Sequence, residues 1–556
     1  MKFAEIPSIY PQLLELRKSK DAKFKQNSYW NPSMTLRYYQ VIGALHMLLL
    51  NRMVLGDSTG LGKTIQAIAT YTFLLESIPN LKLLIVCPKS ATTQWQEEFA
   101  KFSIGITTRV LSNEYNKLTG YKARLAQYQE FKENVLIMGY AIILDEYEKI
   151  KEILGPRFMV VFDECVAFKS RTTKTHIASK EIAEAAERAY GMSATIIKNG
   201  LEEVWGIYDV IVPGLFGKIT PFKKMYCQEK MLKIRVGGKT RMIPKVIGYK
   251  NLDKFKQAID PYFLIRKKEE VAEELPKLIS KKIILEMTPE QKDAYRQALL
   301  GIVYEEKVKR QYYEVADKVR TLAVPDKKTI ELYESLKEKY DKFTTTEGKQ
   351  RGKLAALTYC QMISNGPQLV NMQGESSKEE EFVRLMTEEL LTEKVLLFTR
   401  FKSGIPYLEV ICEKKGISYA KITGDCSDKE RTDARHKFMT DPNCRLLFIT
   451  TAGAASLNLQ AASVIIFYDT PWSFGDLAQV IGRAQRIGSL QEHVLLIHLI
   501  NKSSIDMRVM NRVSSKKGLS DKIIGDTAVG ALDFTQNENS AVNDLFEDLL
   551  KDAGDL

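Results

Sequence analysis

The 556-residue chain reads as an α/β protein with two parallel-sheet lobes and a helical insertion between them. Three observations predict this. Apolar runs of strand length recur between amphipathic stretches in two separate blocks, a glycine-rich turn follows the first of these runs, and a Lys/Glu-rich stretch divides the blocks. Short apolar runs alternating with helical periodicity mark parallel strands covered by helices.

The first block spans residues 35–217, after an N-terminal segment at 1–34. It opens with Met53-Val54-Leu55, an apolar run suited to a buried strand, followed by "GDSTGLGKT". Ile65, Ile68, Ala69 and Phe73 then keep helical spacing. Strand, glycine turn and helix N-terminus in that order form an anion site, because the free N–H groups and the helix dipole both face the turn. The strict phosphate-loop pattern G-x-x-x-x-G-K-[ST] has glycine first, where this chain has Asp57. The other parts are present. Gly60 and Gly62 can take positive φ, Lys63 is the cation for the outer phosphates, and Thr64 supplies a hydroxyl for Mg²⁺. Ser58, Thr59 and Leu61 complete the loop, so the candidate nucleotide-binding positions run from Asp57 to Thr64.

"LLIVCP", "VLIMGY" and "FMVVFDE" continue the block as strands. The last delivers Asp163 and Glu164 to the carboxyl end of a strand, where an open parallel sheet presents its ligands. With a phosphate loop in the same lobe, Asp163 is placed to hold Mg²⁺ beside Thr64, and Glu164 to orient or deprotonate the attacking water.

The Lys/Glu-rich stretch at 218–375 is read as the helical insertion. Within it, Thr288-Pro289-Glu290-Gln291 has the form of a helix start, with a threonine cap, proline in the first turn and glutamine as capping-box partner. The second block, at 376–512, contains "KVLLFTRF", "SYAKITGD", "RLLFITTAG", "SVIIFYDTP" and "HVLLIHLI". Its "QVIGRAQRIG" puts Arg483 and Arg486 three apart, on one helix face, where they could approach a γ-phosphate from across a cleft.

Composition narrows the class. No run of about 18 apolar residues appears and the N-terminus lacks an apolar signal core, so a membrane protein is not expected and a cytoplasmic one is. The seven cysteines form no C-x-x-C pair and the five histidines do not cluster near them, which points to reduced thiols and away from a zinc site. The net charge of +12 is unevenly placed. From Leu519 onward nine Asp/Glu face two Lys, a local charge of −7, which leaves +19 on residues 1–518. A basic body suits an anionic partner such as nucleic acid. The acidic tail, 513–556, is read either as a shield for that basic surface or as a docking segment for a protein partner.

From Thr35 to about Val509 the chain resembles the Swi/Snf-type DNA translocases, a branch of the superfamily-two helicases. The resemblance rests on "LRYYQ", "LGDSTGLGKTIQ", "LLIVCPKSATTQWQEEF", "MGYAII", "FMVVFDE", "MSATIIKNGLEEVWGIYDVIVPGLFG", "FLIRKKEEVAEELPK", "KVLLFTRF", "FITTAGAASLNLQAA", "YDTPWSFGDLAQVIGRAQRIG" and "SSIDMRV". It implies two RecA-like lobes, ATP and Mg²⁺ as cofactors, and a DNA-stimulated ATPase that acts as a monomer on duplex or branched DNA. That work would be fork remodelling, branch migration or repair in a bacterial or phage-infected cytosol. In the family's version of the loop an acidic residue habitually stands where Asp57 is. The resemblance also makes Arg37 and Gln40 the adenine readers, Lys89, Tyr140, Arg400, Thr451 and Trp472 the DNA contacts, and Ser193, Thr195 and Gln479 the coupling residues. Val166 departs from the pattern, standing where the family usually has a histidine that links the nucleotide site to the coupling motif. Ala194, Ile196, Ala454 and Ser456 are further departures. Two other readings remain open: an RNA helicase, against which "FLIRKKEEVAEELPK" and the insertion argue, and an ATP-switched DNA-binding module without translocation.

Overall fold

A computed structural model describes residues 8–194, 196, 200–236, 239–271, 276–300, 311–312, 314–316, 318–319, 326–341, 346–451, 459–472, 474–485, 489, 491–511 and 549. Seventeen strands are assigned among them. They are β1 (Arg52–Leu55), β2 (Lys82–Cys87), β3 (Thr108–Val110), β4 (Glu114–Tyr115), β5 (Leu118–Thr119), β6 (Val135–Gly139), β7 (Phe158–Asp163), β8 (Arg188–Met192), β9 (Cys227–Val236), β10 (Lys239–Tyr249), β11 (Phe263–Leu264), β12 (Lys277–Leu285), β13 (Val395–Phe398), β14 (Tyr419–Ile422), β15 (Leu446–Ile449), β16 (Val464–Phe467) and β17 (His493–Asn501).

Two parallel sheets organise them. The first has seven strands in the order β11-β1-β8-β7-β2-β6-β3, and the second six in the order β12-β17-β16-β13-β15-β14. Alternation along the strands feeds two cores per sheet. Val54, Leu84 and Val86 face one side of the first sheet, whereas Met53, Leu55, Leu83 and Ile85 face the other. Leu396 and Phe398 divide from Val395 and Leu397 in the same way in the second. Strands buried on both faces need continuous apolar runs, and this makes them visible in the sequence. The expected two-lobe α/β fold is therefore observed.

Residues 218–375 are not helical throughout, and here the sequence reading is corrected. β9 and β10 form an antiparallel hairpin that joins neither sheet. β11 pairs with β1 at the edge of the first sheet, and β12 pairs with β17 at the edge of the second. Both lobes thus reach into the stretch. Helices do follow: Pro289–Leu299 starts as expected, with the Thr288 hydroxyl accepting from Gln291 N–H and the Gln291 side chain accepting from Thr288 N–H. Ala294, Tyr295 and Ala298 of that helix pack with Leu357, Cys360 and Ile363 of the helix Thr346–Asn365 in the second lobe's core.

The N-terminal segment belongs to the first lobe. Leu13 and Trp30 are buried in its core, and Arg17 bonds to Asp260 and to the Phe263 carbonyl. Of the acidic tail only Leu549 is described, and it is buried in the core of the second lobe. No helix among the described residues is long and apolar enough to cross a membrane.

Candidate nucleotide site and its cross-lobe face

The predicted first-lobe residues converge at the carboxyl edge of one sheet. The phosphate loop follows β1, Lys89 follows β2, Tyr140 follows β6, Asp163 ends β7 with Glu164 next, and Ser193 follows β8. Gly60 and Gly62 do take positive φ, 89° and 78°, and the helix Lys63–Ser77 starts directly after Gly62. A side chain at Gly62 would also meet the Gln40 amide nitrogen at 2.6 Å. Ser58, Thr59, Gly60, Gly62, Lys63 and Thr64 are each partly exposed at this edge. The Lys63 ammonium donates to the Asp57 carbonyl at 2.7 Å. Burial lowers its pKa, and the nearby carboxylates of Glu164, Asp57 and Asp163 oppose that.

Asp57 itself is not on the ligand side, and its assignment as a nucleotide contact is corrected. Its carboxylate is fully buried and paired with Arg266, whose Nε donates to Oδ1 at 2.9 Å and whose Nη2 bonds Oδ2. Gln66 donates to Oδ2 as well, at 3.1 Å, and accepts from Arg266 at 2.9 Å. A glycine at the first loop position would leave the Arg266 guanidinium buried without its anion. The departure from the strict pattern is thus a structural tie between the loop and the segment after β11. Sequence reasoning misses Arg266 as a site residue: it lies 209 positions away and nothing local in "FLIRKKEEV" singles it out.

The Leu61 side chain is buried, so this residue serves the loop through its backbone. Its N–H donates to the Ser58 carbonyl at 3.3 Å, and its carbonyl accepts from Gln40 at 3.3 Å. Gln40 is buried too, and its amide oxygen accepts from the Arg37 N–H at 3.0 Å. The pair caps the helix Tyr38–Leu49 and ties it to the phosphate loop.

Two further side chains hold Asp163. The Trp95 indole donates to Asp163 Oδ2 at 3.0 Å, and the Tyr140 hydroxyl donates to the Asp163 carbonyl at 2.8 Å. The reading of Tyr140 as a DNA contact is therefore corrected: its hydroxyl is engaged inside the lobe and its ring packs beside Phe168. Burial, and next the Glu164 charge, push the Asp163 carboxyl up to about 6. Thr64, on the helix that starts after the phosphate loop, and Asp163, at the end of β7, are the residues that could hold a divalent cation. Glu164 sits at a left-handed backbone position, φ 52°, and its Oε2 accepts from the buried Ser193 hydroxyl at 2.9 Å. Ser193 thus touches the carboxylate directly, while Val166 packs against the core. Thr195 lies outside the described residues.

The second lobe brings its own edge to the loop. The helix Phe474–Ala484 carries Gln479 and Arg483, and the Thr59 hydroxyl donates to the Ala478 carbonyl at 3.4 Å. Arg483 is near enough to depress the Lys63 pKa further. A second bridge joins the lobes where Arg435 meets Glu97 at 2.9 Å. Arg486 lies outside the described residues.

Arg400, Thr451 and Trp472 follow β13, β15 and β16, so they share the carboxyl edge of the second sheet. Arg400 and Thr451 are exposed, as is Lys89 in the first lobe. Arg400 lies 5.7 Å from the Trp472 ring, and one buried side chain steadies both: Gln361 Oε1 accepts from the guanidinium at 2.5 Å and from the indole at 2.8 Å. The Arg400 N–H is in turn held by Asp469, which also accepts from Thr399 at 2.6 Å and from Asn365 at 2.8 Å.

Comparison with known proteins gives the family. The model of the SNF2-related domain matches residues 39–357, and that of the helicase conserved C-terminal domain matches 377–488. An uncharacterized ATP-dependent helicase of Mycoplasma pneumoniae is 26% identical over 94% of this chain and 46% of its own length. A putative ATP-dependent helicase/translocase of Bacillus subtilis is 27% identical over 88% of this chain and 49% of its own. The chain spans about half the length of these curated relatives. Among solved structures, the Sulfolobus solfataricus SWI2/SNF2 ATPase core in complex with dsDNA is 22% identical, covering 90% of this chain and 95% of that one, with a TM-score of 0.38. The SNF2-related match covers more than half of the sequence, and the chain belongs to that family.

Proposed function

We propose that the protein is an ATP-dependent DNA translocase that moves along duplex or branched DNA. The observation that carries this reading is the contact between the phosphate loop and the helix bearing Arg483, Thr59 to Ala478 at 3.4 Å, which sets a cation of one lobe against the nucleotide side of the other. A bound ATP supplies the phosphoanhydride whose hydrolysis drives the motor, with Mg²⁺ offsetting the phosphate charge. This chain's residues divide the remaining work. Lys63 and the N–H groups of Gly60 to Thr64 hold the outer phosphates, Thr64 and Asp163 hold the metal, Glu164 takes the proton of the attacking water, and Arg483 and Arg486 reach the developing charge on closure. Ser193, bonded to Glu164, links that step to the lobe movement.

Lys89, Arg400, Thr451 and Trp472 supply the DNA track. Contacts to phosphates suit a motor that must slide over any sequence. The relatives' descriptions as helicases and as a helicase/translocase support the reading, and so does the basic body. Fork remodelling, branch migration and repair are the tasks it fits; the protein works as a monomer in the cytoplasm. ATP turnover measured in turn with duplex DNA, single-stranded DNA, forked DNA and RNA tests the proposal. Stimulation by duplex or forked DNA well above RNA is expected; equal or greater stimulation by RNA would replace the reading with an RNA helicase.

A further inference from the structure

The hairpin of β9 and β10 has no role in either sheet. Among the described residues its strands pair only with each other, from Cys227 opposite Tyr249 out to Val236 opposite Lys239, with a register shift between Val246 and Gly248. Ten residues at about 3.3 Å each give an arm about 30 Å long. Lys230, Met231 and Met242 on it are exposed.

Its charge is concentrated and of one sign. From Cys227 to Lys250 the sequence has seven Lys/Arg and one acid, Glu229, a net +6 in 24 residues of a chain whose total is +12. Keeping a free ribbon from pairing with others accounts for Pro244 and for a lysine or two, but not for seven Lys/Arg in 24 residues. Here Lys230 and Lys245 stand directly opposite each other in register. Like charges at opposed positions cost stability unless an anion lies against them.

The arm is rooted on the coupling segment. The Tyr249 hydroxyl donates to Glu202 Oε2 at 2.9 Å, and Glu202 lies in the first turn of the helix Leu201–Ile211 that follows Ser193. A Cβ on Gly200 would collide with that hydroxyl. Lys223 lies 3.7 Å from both Glu202 and Glu229, and the Lys250 N–H donates to the Tyr226 carbonyl at 2.9 Å.

We propose that the 227–250 hairpin is a second DNA-binding arm that contacts the phosphates of duplex DNA outside the cleft. A two-stranded ribbon fits the major groove of B-DNA, and lysine and arginine on it release counterions from the phosphates. This inference rests on the reading of the protein as a DNA translocase, and the test separates the two.

The measurement is duplex-DNA affinity against KCl concentration for the full chain and for a variant with Lys230, Lys233, Arg235, Lys239 and Arg241 each changed to Gln. Binding of a fluorescent ATP analogue serves as the check on folding. A second variant replaces residues 228–248 with a short Gly-Ser link. Every phosphate that the arm no longer neutralises lowers the slope of log K against log salt by about 0.9, so both variants are expected to lose about three or more units of slope and at least about tenfold in affinity at low salt. Curves that superimpose on wild type, in protein that still binds the analogue, would overturn the arm and leave the translocase reading standing. Wild-type protein that fails to bind duplex DNA would overturn the translocase reading itself.

Discussion

The two lobes stiffen their working residues in the same manner but for opposite charges. In the first lobe the working carboxylates at the cleft are braced from behind by donors, Trp95 on Asp163 and Ser193 on Glu164, while Arg266 holds the buried Asp57 under the loop. In the second the working group is a cation, Arg400, braced by acceptors, with Gln361 on its guanidinium and Asp469 on its N–H. Behind Asp469 the network continues through Asn365 to Lys378, itself fully buried and 2.6 Å from Asp506. On the proposed reading, the first lobe would hold a metal and phosphates and lend Lys89 to the track, while the second would hold a phosphate backbone and lend Arg483 to the chemistry, with Thr59 to Ala478 as the seam.

Removing the phosphate-loop cation of the first lobe should have the most severe effect. Lys63→Ala is expected to reduce ATP turnover below a tenth of wild type while leaving duplex-DNA binding near normal, because the track lies on other residues. Steady-state turnover and DNA titration on one preparation check it; turnover above a tenth would remove the loop from the chemistry.

The buried ion pairs sharpen the comparison. Arg266→Ala leaves Asp57 without its partner and Lys378→Ala leaves Asp506 without its own, and stranding a buried charge costs about 3–5 kcal/mol. Denaturant unfolding of the two variants is expected to show losses of that size in each. A loss in only one would mean that the other pair is hydrated in solution.

Much of this arrangement is legible in the sequence. Continuous apolar runs locate the sheet strands, and the glycines and the Asp-Glu pair mark the carboxyl edge of the first sheet. The unreadable part lies where a residue's environment depends on distant chain. β12, "KLISKKIIL", carries two adjacent lysines and is largely exposed, so its polarity hides an edge strand. The two-residue β11 is too short for any periodicity. The resemblance points Tyr140 toward DNA, whereas packing turns its hydroxyl toward Asp163, which the Trp95 indole also meets. Asp57 looks like a defect in a loop pattern until Arg266 supplies its counter-charge.

Asp163 provides a smaller test. A carboxyl whose folded-state pKa is raised from 3.8 to about 6 binds its proton more tightly in the folded chain than in the unfolded one. Stability in the absence of nucleotide should therefore fall as pH rises through the interval from about 4 to about 6. Asp163→Asn is expected to flatten that part of the profile, as read by unfolding across the interval; an unchanged slope would assign the effect to other groups.

The smallest effects concern coupling. Ser193→Ala removes one hydrogen bond to Glu164, worth about 1 kcal/mol or roughly a fivefold change in DNA-stimulated turnover. Val166→His adds a polar ring to a position packed against the core while the Ser193–Glu164 link is already in place, so the ratio of DNA-stimulated to basal turnover should change by less than about twofold. A larger gain from Val166→His than loss from Ser193→Ala would reverse the assignment of the coupling route.

The sharing of the chemistry across the lobes is tested most directly at Arg483, a second-lobe cation close enough to Lys63 to lower its pKa. ATP affinity and DNA-saturated turnover should be measured together in Arg483→Ala. If the arginine acts on the closed transition state, turnover falls on the order of 10³-fold while ATP affinity stays within about threefold. Unchanged turnover would contradict the account, because hydrolysis would then be complete within one lobe.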